Sequence, residues 1–157
     1  QGKIFLPQLI QTASVAQAAF EVIKTTLIER NAAPVSRGEI VLATVKGDIH
    51  DIGKNIVRVL LENYGYTVLD LGRDVPCQLV ADTAKEHGVK LVGLSALMTT
   101  TLGAMEETIQ LVKASCPDCK IVVGGAVLTA DYAEKIGADY YAKDAMETVA
   151  VAKEVVG

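Results

Sequence analysis

Glu39-Ile40-Val41-Leu42-Ala43-Thr44-Val45 is a run of aliphatic and β-branched residues, and it breaks at Lys46-Gly47-Asp48-Ile49-His50-Asp51-Ile52-Gly53. Helical spacing then begins, from Lys54 to Asn63. The first piece reads as a buried strand, the second as a loop and the third as a helix. The same alternation continues down the chain. Strands are expected over Tyr66–Gly72, Leu91–Leu97, Lys120–Ala126 and Tyr140–Ala142. Helices are expected over Gln78–His87, Leu102–Ser115, Ala130–Ile136 and Ala145–Val156. Gly88 closes the second helix. Five β-α units with short loops imply an α/β fold with an all-parallel sheet covered on both faces. The expected strand order is 2-1-3-4-5, the flavodoxin-like (Rossmann-like) arrangement.

Upstream, about Phe5 to Arg30 reads as a helix. Leu9, Ala13, Ala16, Phe20, Ile23 and Leu27 recur at 4-3-4-3-4 spacing, an apolar stripe that one helix cannot bury on itself. Asn31–Gly38 is turn-rich and reads as a linker. The start Gln1-Gly2-Lys3, without an initiator methionine, is the start expected of a trimmed chain.

Composition narrows the function classes. The 157 residues are 50% hydrophobic and 22% charged, with no Trp, so the chain folds around a core of Val, Ile, Leu and Ala. A net charge of −4 argues against a general nucleic-acid binder, which needs a basic face. No apolar run reaches the roughly 18–20 residues of a membrane span, so no membrane partner is expected. Three cysteines suit a reducing cytoplasm better than a disulfide scaffold.

In an open α/β sheet, ligands bind at the carboxyl ends of the strands where the order reverses. The loops that matter are therefore Lys46–Gly53, Met98–Thr101, Gly124–Val127 and Lys143–Ala145. The first lacks a Gly-x-Gly-x-x-Gly or Walker-type phosphate cradle. A phosphoacceptor site would need an acid at the end of the third strand, which reads Ser95-Ala96-Leu97-Met98. What remains is an imidazole, His50, with Asp48 two residues before it. A metal-bound histidine commonly donates its other ring N–H to a carboxylate. One protein ligand is too few for structural zinc but enough beneath a macrocycle. A solvated loop histidine is the competing reading of the spacing alone. Small residues gather on the neighbouring strand ends: Gly93, Ser95 and Ala96, then Gly124, Gly125 and Ala126. They fit either a slot for a ligand or tight packing. Cys116-Pro117-Asp118-Cys119 lies at the opposite end of the sheet and reads as a turn with two incidental thiols. His87, at a helix C-terminus, reads as structural.

Taken together, Asp48-x-His50-x-x-Gly53, Ser95-x-Leu97 and Gly124-Gly125 resemble the signature of cobalamin (corrinoid)-binding domains. The string from Ala43 to Asn55 resembles the methyltransferase branch, which holds the methionine synthase B12 module and the methanol- and methylamine-type corrinoid proteins. Phe5-Leu6-Pro7-Gln8 resembles the start of the last helix of the helical-bundle cap found in that branch. The resemblance therefore implies a truncated cap helix and linker over residues 1–35 and a cobalamin-binding domain over 36–157. It implies cobalamin or a related cobamide as cofactor, with cobalt bound base-off and His50 as lower axial ligand. Asp48 would hydrogen-bond His50, and Thr101 would complete a relay. Ser95 and Thr99 would contact the displaced nucleotide tail, for which Gly124 and Gly125 would make room. Gly47, Ile49, Asp51, Ile52, Gly53 and Leu97 would join the cofactor site, and the backbone of Ala145 would approach the corrin. The implied role is a carrier that moves a methyl group between donating and accepting methyltransferase partners, served by a reductive activase. It would be a component of such a system rather than a complete enzyme. A B12-binding sensor or regulator and the small subunit of a cobalamin-dependent mutase are the alternatives.

Overall fold

The computed structural model describes residues 36–157, together with Val15 and Val22, both helical and exposed. The rest of the helix expected over residues 5–30, its apolar stripe and most of the linker lie outside the described residues. The domain that follows begins at Ser36.

Five strands form one parallel sheet: β1 (Glu39–Thr44), β2 (Thr67–Asp70), β3 (Leu91–Ser95), β4 (Lys120–Gly124) and β5 (Tyr140–Tyr141). Their order is β2-β1-β3-β4-β5, as the alternation predicts. The register brings Thr44 beside Ser95 and Ser95 beside Gly124, so three strand ends finish level. The helices are α1 (Ile52–Asn63), α2 (Cys77–His87), α3 (Leu102–Ser115), α4 (Ala130–Lys135) and α5 (Ala145–Val155). A single 3-10 turn, Thr99–Thr101, precedes α3.

Strand alternation sorts the core into two layers. Val41, Ala43, Val92, Leu94, Ile121 and Val123 face α2, α3 and α4, where Met105, Ile109 and Val112 meet them. Ile40, Leu42, Leu91 and Val122 face the other way, against Leu61 of α1 and Val149 and Ala152 of α5. The sheet is thus buried on both faces, and only its edges and strand ends are open to a ligand. Among the described residues no helix is long and apolar enough to cross a membrane.

Helix ends follow local chemistry. Gly88 closes α2 in the left-handed conformation (φ 58°). Asp144 caps α5 by accepting from the Glu147 amide at 2.9 Å, while Glu147 accepts from the Lys143 amide at 2.8 Å. Lys143-Asp144 is therefore spent on starting a helix. All five strands are shorter than expected at their carboxyl ends. Ala96 with Leu97, Gly125 with Ala126, and Ala142 lie beyond the strands, Val45 keeps only an isolated parallel bridge to Val75, and β2 stops at Asp70 rather than Gly72. Side-chain acceptors take over at two of these ends: Leu97 turns its amide to Asp48, and the Gly72 amide goes to Asp70.

Candidate functional site

The loop after β1 turns at once, with Gly47 at φ 85° and the Asp48 amide bonded back to Val45 at 3.0 Å. This turn folds the Asp48 side chain inward, and the residue is fully buried. Asp48 Oδ1 accepts from the His50 amide at 3.0 Å and lies 2.7 Å from His50 Nδ1. Oδ2 accepts from the amides of Leu97 at 2.7 Å and Met98 at 3.2 Å. The third strand end thus supplies backbone donors to an acid on the first. Thr101 Oγ1 stands 3.2 Å from Oδ2 and 2.8 Å from the Met98 carbonyl. Its single proton can serve one of these acceptors at a time.

Burial by itself pushes the Asp48 carboxyl up. The N–H donors from Leu97, His50 and Met98 outweigh it and hold the group at about 2, below its ordinary 3.8. An ionised carboxylate can only accept. The proton in the His50–Asp48 bond therefore belongs to Nδ1. In the neutral imidazole the lone pair is then on Nε2, to which no protein group among the described residues is bonded.

His50 lies on the wall of a cavity of about 820 Å³ at the carboxyl end of the sheet. Ile49, Asp51, Ile52, Gly53, Ser95, Leu97, Gly124, Gly125 and Ala145 line the same cavity. Ile49, Ile52, Ile56, Leu97 and Met146 are exposed large apolar side chains, an uneconomical set to leave in water unless something apolar covers it. Asp48 and Thr101 sit behind the wall rather than on it, and Gly47 belongs to the turn. Thr99 is exposed in the 3-10 turn and is not among the residues that line the cavity. The sequence reading missed Ile56, Lys54 and Arg73, which also line the cavity. Helical spacing from Ile52 would have found Ile56.

The glycines divide into two kinds. A Cβ on Gly125 (φ 140°) would come within 1.8 Å of the Ala96 carbonyl oxygen, and one on Gly124 within 3.0 Å of the Ala142 oxygen. Both permit a close approach of strand ends, so tight packing is a reason for them alongside their place on the cavity wall. Gly53 is different. A Cβ there would meet nothing within 4 Å, and its φ needs no glycine. In the first turn of a helix such a glycine sacrifices stability, while leaving open space beside His50.

Among the described residues no cluster of three or more His, Cys, Asp or Glu side chains could hold a metal ion. Cys116 and Cys119 are free thiols, and burial, followed by the neighbouring Cys116 and Asp139, pushes Cys119 up to about 12. A thiol held protonated as Cys119 is makes a poor metal ligand or nucleophile. His50, with one free ring nitrogen beside a large apolar-rimmed cavity, suits a metal whose other ligands arrive with a macrocycle. The clearance at Gly53 suits the same group, so these residues fit a corrinoid.

Comparison with known proteins agrees. The family model of the B12 binding domain matches residues 38–150. The chain is 44% identical to dimethylamine corrinoid protein 1 of Methanosarcina acetivorans, across 99% of this chain and 74% of that protein. A cobalamin-binding protein from Desulfitobacterium hafniense superposes with a TM-score of 0.78 at 37% identity, over 98% of this chain and 72% of the other. The methanol:cobalamin methyltransferase complex MtaBC of Methanosarcina barkeri matches with a TM-score of 0.84 at 32% identity, over 98% of this chain and 58% of that one. By sequence and by fold, the chain belongs to the B12-binding domain family, alongside the methylamine- and methanol-type corrinoid proteins, and its cofactor is a cobalamin or related cobamide.

Proposed function

We propose that this protein carries a methyl group on a base-off cobamide between methyltransferase partners, with His50 as the lower axial ligand. The observation that carries the ligand assignment is the 2.7 Å contact between His50 Nδ1 and the buried Asp48 carboxylate, which leaves Nε2 free at the cavity wall. The names of the relatives, dimethylamine and trimethylamine corrinoid proteins, favour a carrier over a sensor or a mutase subunit.

When bound, the cobamide supplies the cobalt centre that accepts and donates the methyl group. The chain's own residues do the rest. Asp48 keeps the proton on Nδ1 and so orients Nε2 for coordination. Nε2 is then the ring atom at which His50 would hold the cobalt, with the Asp48 carboxylate fixed behind the ring. Thr101 can switch its hydroxyl proton between Met98 and Asp48, adjusting that carboxylate without moving the backbone. Ser95, Leu97 and the residues around Gly53 receive the cofactor, and Ile49 and Ile52 offer exposed apolar side chains for it to cover. Residues 1–35 are read as part of a cap domain, and a reductive activase is a further partner of this scheme.

Mixing the protein with hydroxocobalamin and desalting it tests this directly. The wild type is expected to keep the corrin absorption. His50→Ala is expected to lose the absorption signature of protein imidazole while remaining folded. Identical spectra from the two would overturn ligation by His50, and a colourless wild type would overturn the carrier reading.

A further inference from the structure

We propose that Asp74 is a positioning residue for His50, acting through the backbone of Gly47 and Asp48. This rests on the reading of His50 as the cobalt ligand. Asp74 lies in the loop between β2 and α2. Among the described residues it is the sole non-glycine residue in the left-handed region, at φ 52°. Strain of this kind collects where structure is held for a purpose.

Two bonds show what is held. Asp74 Oδ1 accepts from the Gly47 amide at 2.7 Å, and the Asp74 amide donates to the Asp48 carbonyl at 2.9 Å. The turn is thus gripped at both ends, one residue at each end. The grip is braced beyond the regular sheet. β1 and β2 pair only as far as Leu42 and Asp70, yet the Thr44 amide reaches Gly72 at 2.9 Å and the Val75 amide reaches Thr44 at 3.1 Å. On the far side of His50, buried Lys54 of α1 is ion-paired to Asp70 at the end of β2. One strand end therefore secures the chain before and after the histidine. A shift of the Gly47-Asp48 peptide would move the Asp48 carboxylate, and with it the acceptor that orients the imidazole.

The competing account makes Asp74 an ordinary turn residue, chosen because Asp tolerates this conformation. Asp74→Gly and Asp74→Asn separate the two. Glycine adopts the conformation freely but removes the acceptor, whereas asparagine keeps an Oδ1. In the ¹⁵N-labelled apoprotein, Asp74→Gly is expected to speed exchange of the Gly47 amide by about tenfold. It should also move the His50 ring ¹⁵N shifts toward a mixture of tautomers, with the melting temperature little changed. In the Co(II) form it should lower the fraction of molecules showing imidazole superhyperfine coupling. Asp74→Asn should restore all three. Ring shifts and coupling unchanged in Asp74→Gly would overturn the proposal. A wild type without coupling would instead overturn ligation by His50, and the apoprotein ring shifts would still decide the role of Asp74.

Discussion

The two histidines each face a carboxylate, at opposite ends of the same sheet. His50 Nδ1 lies 2.7 Å from Asp48 past the end of β1, and His87 Nδ1 lies 3.1 Å from Glu39 at its start. The imidazoles are similarly exposed, 45% and 38%, but the acids are not: Asp48 is 0% exposed and Glu39 42%. Asp48 also receives the backbone amides of His50, Leu97 and Met98. His87 is the partner of a solvated acid and can leave it at little cost. His50 is tied to an acid that cannot move. A histidine–carboxylate pair orients a ligand when the carboxylate is itself immobilised.

Removing each acid should show the difference most strongly. Asp48→Ala removes the buried acceptor of the His50, Leu97 and Met98 amides and is expected to destabilise the apoprotein by about 3 kcal/mol. Glu39→Ala is expected to change stability by less than about 0.5 kcal/mol. Urea midpoints check both, and equal shifts would break the comparison. Acid titration sharpens it. Asp48 is held at about 2 in the fold against an ordinary 3.8, so its stabilisation is complete above pH 3.8 and fades as pH falls toward 2. The linked contribution is about 2 kcal/mol. Asp48→Asn should flatten that part of the stability–pH curve, whereas Glu39→Gln should leave it in place.

Smaller effects test the clearance and the far end. Gly53→Ala should raise apoprotein stability by about 0.5–1 kcal/mol, because it restores helix propensity in free space. It should weaken cobamide retention at the same time, read by desalting after loading. A variant both more stable and equally retentive would remove the clearance argument. At the amino end of the sheet, buried Cys119, held protonated, should resist iodoacetamide in the native protein while the partly exposed Cys116 reacts faster, as mass spectrometry would show.

The sheet order was legible because each buried strand is a short aliphatic run and each helix has its own spacing. The strand ends were not, and the reason is physical. Leu97 and Gly125 continue the apolar or small-residue pattern while their backbone has left the ladder to build the site. His50 and Asp48 were legible as a pair from their spacing. The immobilisation of Asp48 was not, since Leu97 and Met98 lie some fifty residues away and contribute only backbone. Gly124 and Gly125 were legible as small cavity-lining positions, but not their close approach to the carbonyls of Ala142 and Ala96. Asp74 gave no signal at all, because an aspartate in the left-handed region looks like any other loop acid.

The account stands on Nε2 of His50 being the atom that meets cobalt. The direct measurement is EPR of the Co(II) form prepared twice, from protein carrying ¹⁴N-histidine and from protein carrying ¹⁵N-histidine. The account predicts a superhyperfine pattern that changes from triplets to doublets with the label. A pattern indifferent to the label would mean that the axial nitrogen is not a protein histidine, and would contradict it.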